Sequence, residues 1–353
     1  MGISRLTTVG GERRKMSVLL SHNSALEVLR AVPPQTGMLK ALEEPFDMKA
    51  AAAGVRCVRD ALSSCGALRQ RPAHVLVGPS CTRGARGEVR AHQTRCASIP
   101  AGFLRRVQDG LLCCGPELVF LQMANEASLV GTAVLGFELC GGYAHFSQLA
   151  SGFYDRPPLT SREKIDDALG KLAGVRGKRR TAEALDLVLD GSRSPMETVL
   201  TCALTFPGGL GGCGFEAPIM NHEVILDGRA SALAGLSRCC LDLAWPKQMR
   251  AFEYDGAAWH TDARADRRRR EALASMGWTV NVIDLADVSN GSSLMGAISL
   301  IEGVVPRAGD GPIDAATLQA LLGRLLKATR FGLGLNAALF GVPVGRGVVD
   351  VHV

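Results

Sequence analysis

Apolar positions interrupted by one or two polar ones fill four short runs near the end of the chain: HEVILD (222–227), RCCLDLAW (238–245), MRAFEYD (249–255) and WTVNVID (278–284). Each predicts a strand. TAEALDLVLD (181–190) and SPMETVLTCALTF (194–206) precede them with helical spacing. ADRRRREALASM (265–276) lies between the third and fourth runs, and SLMGAISLIEG (293–303) closes the series. The order predicts an α/β domain over about 182–305, its mixed sheet flanked by helices and antiparallel at the hairpin 238–255.

Upstream the pattern is mixed. HVLVG (74–78) and GEVRAHQTR (87–95) read as strands, and FLRRVQ and LLCC flank Asp109-Gly110, a favoured hairpin turn. Helices are predicted from Pro116, over 129–139, and over 160–172 behind a Thr160…Glu163 capping box. These make an α+β middle domain, 73–175. Residues 21–72 read as a small helical unit, with a capping box at Ser24…Glu27, a stop at Pro33-Pro34 and a second helix over 48–62. A tail (1–20), a basic linker (176–181) and a C-terminal helix with a hydrophobic tail (306–353) complete the division.

Length and composition sharpen this picture. A chain of 353 residues, 47% hydrophobic and 21% charged, points to two or three globular domains. The apolar run after the basic cluster Arg13–Lys15 is too short for a signal peptide, and position 6 is Leu where myristoylation needs Ser or Thr. FGLGLNAALFGVPVG (331–345) is shorter than a span and contains Pro343, so it reads as a core or docking segment and no membrane partner is expected. The eleven cysteines include no CxxC pair, which predicts reduced, buried thiols in a cytoplasmic protein.

The net charge of +6 is gathered in clusters. Lys178, Arg179 and Arg180 fall in RGKRR, and Arg264, Arg267 and Arg268 in RADRRRR. Arginine suits phosphate, so these six are candidate contacts to nucleic acid, most simply duplex DNA. The plain alternative is solvated surface.

The sharpest chemistry lies in DLAWPKQMRAFEYDGAAWH (242–260). A turn at Lys247-Gln248 pairs 244 with 251 and sets Asp242 opposite Glu253, with Asp255 two residues along on the same face. Like charges so placed cost stability unless something neutralises them. A hard divalent cation, Mg²⁺ or Mn²⁺, would do so, held by Asp242, Glu253 and Asp255. Glu197 is either a further acid of that site or simply the third residue of a capping box begun by Ser194. His260 is either a proton relay or a packed loop residue.

The array Ser-Pro-x-Glu (194–197), Asp-Leu-Ala-Trp-Pro (242–246), Glu-Tyr-Asp-Gly (253–256), His260 and Asp-Arg-Arg-Arg…Leu…Gly-Trp (266–278) resembles the PD-(D/E)XK nuclease superfamily, most closely its very-short-patch-repair endonucleases. The resemblance covers about 182–303. It implies a restriction-endonuclease-like fold and Mg²⁺-dependent phosphodiester hydrolysis, with Glu197, Asp242 and Glu253 around the metal, in DNA repair or phage defence. The family's lysine position is Asp255 here, which leaves the general base unassigned. Residues 74–124 resemble the central region of type IV abortive-infection antitoxins. That implies the alternative: a non-catalytic DNA-binding regulator with a toxin-like partner or a second copy of itself. A purely structural interaction protein is the third reading.

Overall fold

The computed structural model describes residues 16–31, 39–52, 54–63, 72–79, 81, 84–146, 149, 151–172, 176–256, 263–308 and 311–330. Residues 1–15 of the predicted tail 1–20, His260 and the apolar segment 331–345 lie outside the described residues, and Ser17–Leu20, expected to be tail, are instead a strand of the main sheet, because SVLL is apolar enough to be buried there. The contacts divide the chain into two compact units, 1–139 with 156–188, and 140–155 with 189–353. This division differs from the one the sequence predicts.

The first unit runs β1 (Ser17–Leu20), α1 (His22–Ala31), β2 (Phe46–Asp47), β3 (Ala51–Ala52), α2 (Val55–Ser63), β4 (Ala73–Val77), β5 (Gly84–Arg86), β6 (Val89–Gln93), β7 (Ser98–Ile99), β8 (Leu104–Gln108), β9 (Leu111–Cys114), α3 (Pro116–Met123), α4 (Leu129–Leu139), α5 (Arg162–Lys171) and α6 (Lys178–Leu185). Its main sheet has the order β5-β6-β4-β1-β9-β8, with β3 also paired to β1. SVLL of β1 is apolar on both faces because it is central: it pairs antiparallel with β4 and parallel with β9. α3 is buried all round, which is why its sequence shows no polar stripe. The β8–β9 hairpin turns at Asp109-Gly110 as predicted, with Gly110 at φ 73°.

Several local expectations are corrected here. The first helix begins at His22, so Ser24 lies inside it; its hydroxyl accepts the backbone N–H of His74 (2.8 Å) instead of capping. The helix predicted over 48–62 is a single 3₁₀ turn (Met48–Ala50), strand β3 and then α2. The N-cap of α5 is Ser161, not Thr160, whose buried hydroxyl donates to Glu117 Oε1 (2.7 Å). Most of the supposed basic linker is α6: Gly177, at φ 99°, starts it and Lys178 Nζ bonds the Leu169 carbonyl.

The second unit runs β10 (Tyr143–His145), β11 (Phe153–Asp155), α7 (Pro195–Thr205), β12 (Ile219–Ile225), α8 (Gly228–Ala234), β13 (Arg238–Trp245), β14 (Arg250–Asp255), α9 (Ala263–Ser275), β15 (Thr279–Asp284), α10 (Leu285–Ser289), α11 (Gly291–Ile298) and α12 (Ala315–Arg330). Its main sheet is β12-β13-β14-β15, antiparallel up to β14 and parallel between β14 and β15. The parallel step follows from α9, the crossover between those strands. Leu241, Ala244, Ala251, Ala272, Leu273 and Trp278 belong to one buried cluster of this core. The chain is thus mixed α/β. Among the described residues no helix is long and apolar enough to cross a membrane.

Candidate active site

The β13–β14 hairpin has the register read from the sequence: Ala244 pairs with Ala251 and Leu243 with Phe252. Met249, at φ 55°, closes the four-residue connection 246–249. One step further along that register sets Asp242 against Glu253. The ladder itself ends one residue before them, and Asp242 Oδ2 accepts the backbone N–H of Tyr254 (2.9 Å). A carboxylate thus satisfies a strand amide that the neighbouring backbone leaves unpaired.

Glu197 arrives from the first turn of α7. Ser194 caps that helix, its hydroxyl accepting the Glu197 N–H (3.1 Å). The reciprocal half of a capping box is displaced by one residue. Glu197 Oε2 accepts the backbone N–H of Arg193 (2.9 Å) and the Nδ2–H of Asn221 (2.7 Å). Asn221 is held at φ 51° on β12, and its amide also donates to Gly191 O (2.9 Å). The left-handed backbone region is costly for most residues and milder for Asn.

Burial, and then the charge of Asp242, push Glu197 up to about 7, although its three hydrogen bonds pull the other way. Asp242 is pushed up to about 6, chiefly by burial and also by Glu253, while the Tyr254 amide, Arg269 and Arg193 oppose the rise. Two neighbouring acids therefore hold protons well above the ordinary carboxylate range.

Glu253 is satisfied differently. Arg269 of α9 forks onto it: Nη1 donates to Oε2 (2.9 Å), Nη2 donates to Oε1, and Nη2 also reaches Cys240 O (2.5 Å). The repulsion between the paired strands is thus relieved by a guanidinium. Asp242, Glu253, Tyr254, Asp255, Asp266, Arg269, Arg270 and Val282 line a cavity of about 160 Å³. Asp255 shares it, as its spacing from Glu253 implies, and lies opposite Asp284 of β15.

The arginines that line this cavity are Arg269 and Arg270, set three and four residues after Asp266 on one helix face. Arg264 and Arg268 are exposed, and Arg267 is exposed and ion-paired to Glu271 (3.8 Å). Arg179 and Arg180 are exposed on α6, where Arg179 pairs with Glu183 (3.5 Å), and Lys178 is half-buried. Arg269 carried no separate signal within a run of four arginines. Asn221 carried none, because its role depends on a backbone turn across two strands.

The donor set of Glu197 and Asp242 fits a hard cation: two carboxyls whose protons are held more tightly than usual, Glu197 by burial and the charge of Asp242 and Asp242 by burial and Glu253, would ionise fully beside a divalent ion. Glu253 joins only by exchanging its arginine. Among the described residues these acids form no group of three with ligand atoms all within 4.8 Å.

Compared with protein-family models, curated proteins and solved structures, the chain matches none.

Proposed function

We propose that the second unit is a metal-dependent endonuclease of the restriction-endonuclease-like kind, hydrolysing phosphodiester bonds in duplex DNA. One observation carries the reading. Asp242 and Glu253 lie side by side on adjacent strands, and Glu197 from α7 is near enough to Asp242 to feel its charge. A mixed four-stranded sheet with α9 as its parallel crossover supports it, because a mixed sheet flanked by helices is what the sequence resemblance implies.

Mg²⁺ or Mn²⁺ would be held by Glu197 and Asp242, joined by Glu253, with Asp255 lining the same cavity. Bound there, the metal would supply polarisation of the phosphate and a lowered pKa for the attacking water. The protein's own groups do the rest. The Tyr254 amide fixes Asp242, and Arg193 and Asn221 fix Glu197. Arg269 and Arg270 face the cavity as cations suited to a phosphate, and release of Glu253 would free the Arg269 fork for that task.

The forked ion pair also favours a second reading. A carboxylate satisfied by arginine needs no metal, as in a DNA-binding regulator that keeps a nuclease-like fold. Supercoiled-plasmid nicking with Mg²⁺ or Mn²⁺ separates the two. Nicking by wild type, lost in Asp242→Ala and Glu253→Ala, supports the nuclease. No nicking of plasmid, mismatched or branched DNA, together with a gel shift indifferent to EDTA, supports the regulator.

A further inference from the structure

The first unit contains a second cluster that the nuclease reading does not use. His22 follows β1, His74 opens β4 and His92 lies near the end of β6. They are 52 and 18 residues apart in sequence, so no spacing motif announces them. The sheet collects them: Leu20 pairs with Val75, and Leu76 with His92. One ring nitrogen from each lies within 4.8 Å of the others, the one such three-residue group among the described residues. His74 Nδ1 and His92 Nε2 are 3.0 Å apart, and the rings of His22 and His92 stack with centroids 3.6 Å apart.

A carboxylate completes the set. Glu126, just beyond α3, places Oε1 3.7 Å from His22 Nε2 and 3.6 Å from His92 Nδ1. Ligands around a tetrahedral zinc, at about 2.0–2.1 Å from the ion, stand about 3.3 Å from one another. The His74–His92 contact of 3.0 Å and the His22–Glu126 contact of 3.7 Å straddle that edge; His92 faces His74 through Nε2 and Glu126 through Nδ1, so its ring would turn to give the ion one nitrogen.

Two further features point to a built site. His22 has φ 49°, a left-handed conformation that is uncommon and strained outside glycine. It is held there by its N–H on Gln122 Oε1 (2.9 Å), while Nδ1 is 3.0 Å from Ser21 Oγ. With Nδ1–H donating to that hydroxyl, the ring orientation is fixed and Nε2, on the side of Glu126, keeps its lone pair for an ion, the usual outer-partner arrangement of a ligating imidazole. The cluster is also accessible, with 15% of the His92 side chain and 28% of the Glu126 side chain exposed, which gives an ion a path in.

We propose that His22, His74, His92 and Glu126 form a binding site for a borderline first-row divalent cation, with Zn²⁺ the best-suited ion. Three imidazoles and one carboxylate suit such ions and disfavour Mg²⁺ and Ca²⁺, which take all-oxygen shells. Burial first, and Arg90 with it, lower all three histidines, with neighbouring rings adding to the effect at His22 and His92: His74 is lowered to about 4, His92 to about 3 and His22 well below its ordinary value. The ligands therefore need shed no proton at neutral pH. The Arg90 cation opposes a dication, and the Glu126 carboxylate offsets it. The four ligands come from the β1–α1 junction, β4, β6 and the turn after α3, so the ion would tie three neighbouring strands of the sheet to the segment that follows α3.

The test uses the full chain in an Asp242→Asn background, which removes the acid site from the reading. Chelator-treated protein is titrated with Co²⁺ and then with Zn²⁺. The expected result is one equivalent of Co²⁺ with visible d–d bands and no thiolate charge-transfer band, displaced by Zn²⁺. Zn²⁺ should also raise the melting temperature by about 5 °C or more. His92→Gln should weaken binding at least tenfold, and Glu126→Gln, at a partly exposed position, should weaken it while leaving the fold intact. Absence of Co²⁺ binding to the parent chain, a thiolate charge-transfer band, or parental affinity in both variants would overturn the proposal.

Discussion

Arg269 grips both carboxylate oxygens of Glu253, Nη1 donating to Oε2 at 2.9 Å and Nη2 donating to Oε1. A residue on a helix thereby neutralises an acid on a strand whose hairpin partner is also an acid. Most of this pair is out of water, with side-chain exposures of 23% for Arg269 and 13% for Glu253. Arg269→Ala strands Glu253 beside Asp242 and should destabilise the second unit by about 2 kcal/mol, below the full cost of breaking a wholly buried pair. Arg269→Lys should restore only part of this, because an ammonium cannot fork. Tryptophan fluorescence in a urea titration reads the change, since Trp245 and Trp278 are buried in this unit.

The acids also set a pH dependence. Glu197 and Asp242 are raised in the folded state, to about 7 and about 6. The stability linked to their protons is full below the ordinary carboxylate range and is lost as pH rises through those two values. In chelator, the unfolding midpoint followed by tryptophan fluorescence should therefore fall as pH rises from about 5 to about 8. Mn²⁺ should reverse the fall if the two acids hold it. A midpoint flat across that window would contradict the burial and repulsion assigned to the pair.

Asp242→Asn should separate stability from activity. The amide oxygen can still accept the Tyr254 N–H, and the charge that raises Glu197 is gone. The variant should be more stable at about pH 8, by about 1 kcal/mol, the scale of one pK unit. It should show no metal-dependent nicking. Thermal melts beside the plasmid assay would check both halves.

The first unit offers an independent test of buried charge. Arg30 donates to Glu138 through Nε (2.7 Å) and Nη2 (2.5 Å), and the Glu138 side chain is fully buried. Arg30→Leu leaves a carboxylate in the core and should cost about 3–5 kcal/mol. Arg30→Leu combined with Glu138→Leu should recover much of that loss, which a double-mutant cycle by chemical denaturation would measure.

Much of the second unit was legible residue by residue. The alternation in RCCLDLAW and MRAFEYD fixed two strands and their faces, and Pro246 to Met249 fixed the turn, so the pairing of Ala244 with Ala251 followed. The first unit was harder to read. SVLL is too short and too uniformly apolar to carry a period, and the 3₁₀ turn and β3 hide in the alanine-rich stretch MKAAAA (48–53) because alanine fits helix and strand alike.

By itself, then, the sequence determined the elements whose register is local: the hairpins, the helix capped by Ser194, and the placing of Asp242, Glu253 and Asp255 on neighbouring strands. Those follow from side-chain period and turn chemistry over a dozen residues. Tertiary structure alone decided which partner each acid received. Arg269 reaches Glu253 because α9 is the crossover that returns to the sheet, and Asn221 reaches Glu197 because β12 borders β13. It also brought His22, His74 and His92 together, since β1, β4 and β6 become neighbours only when the sheet forms and no local spacing encodes that meeting.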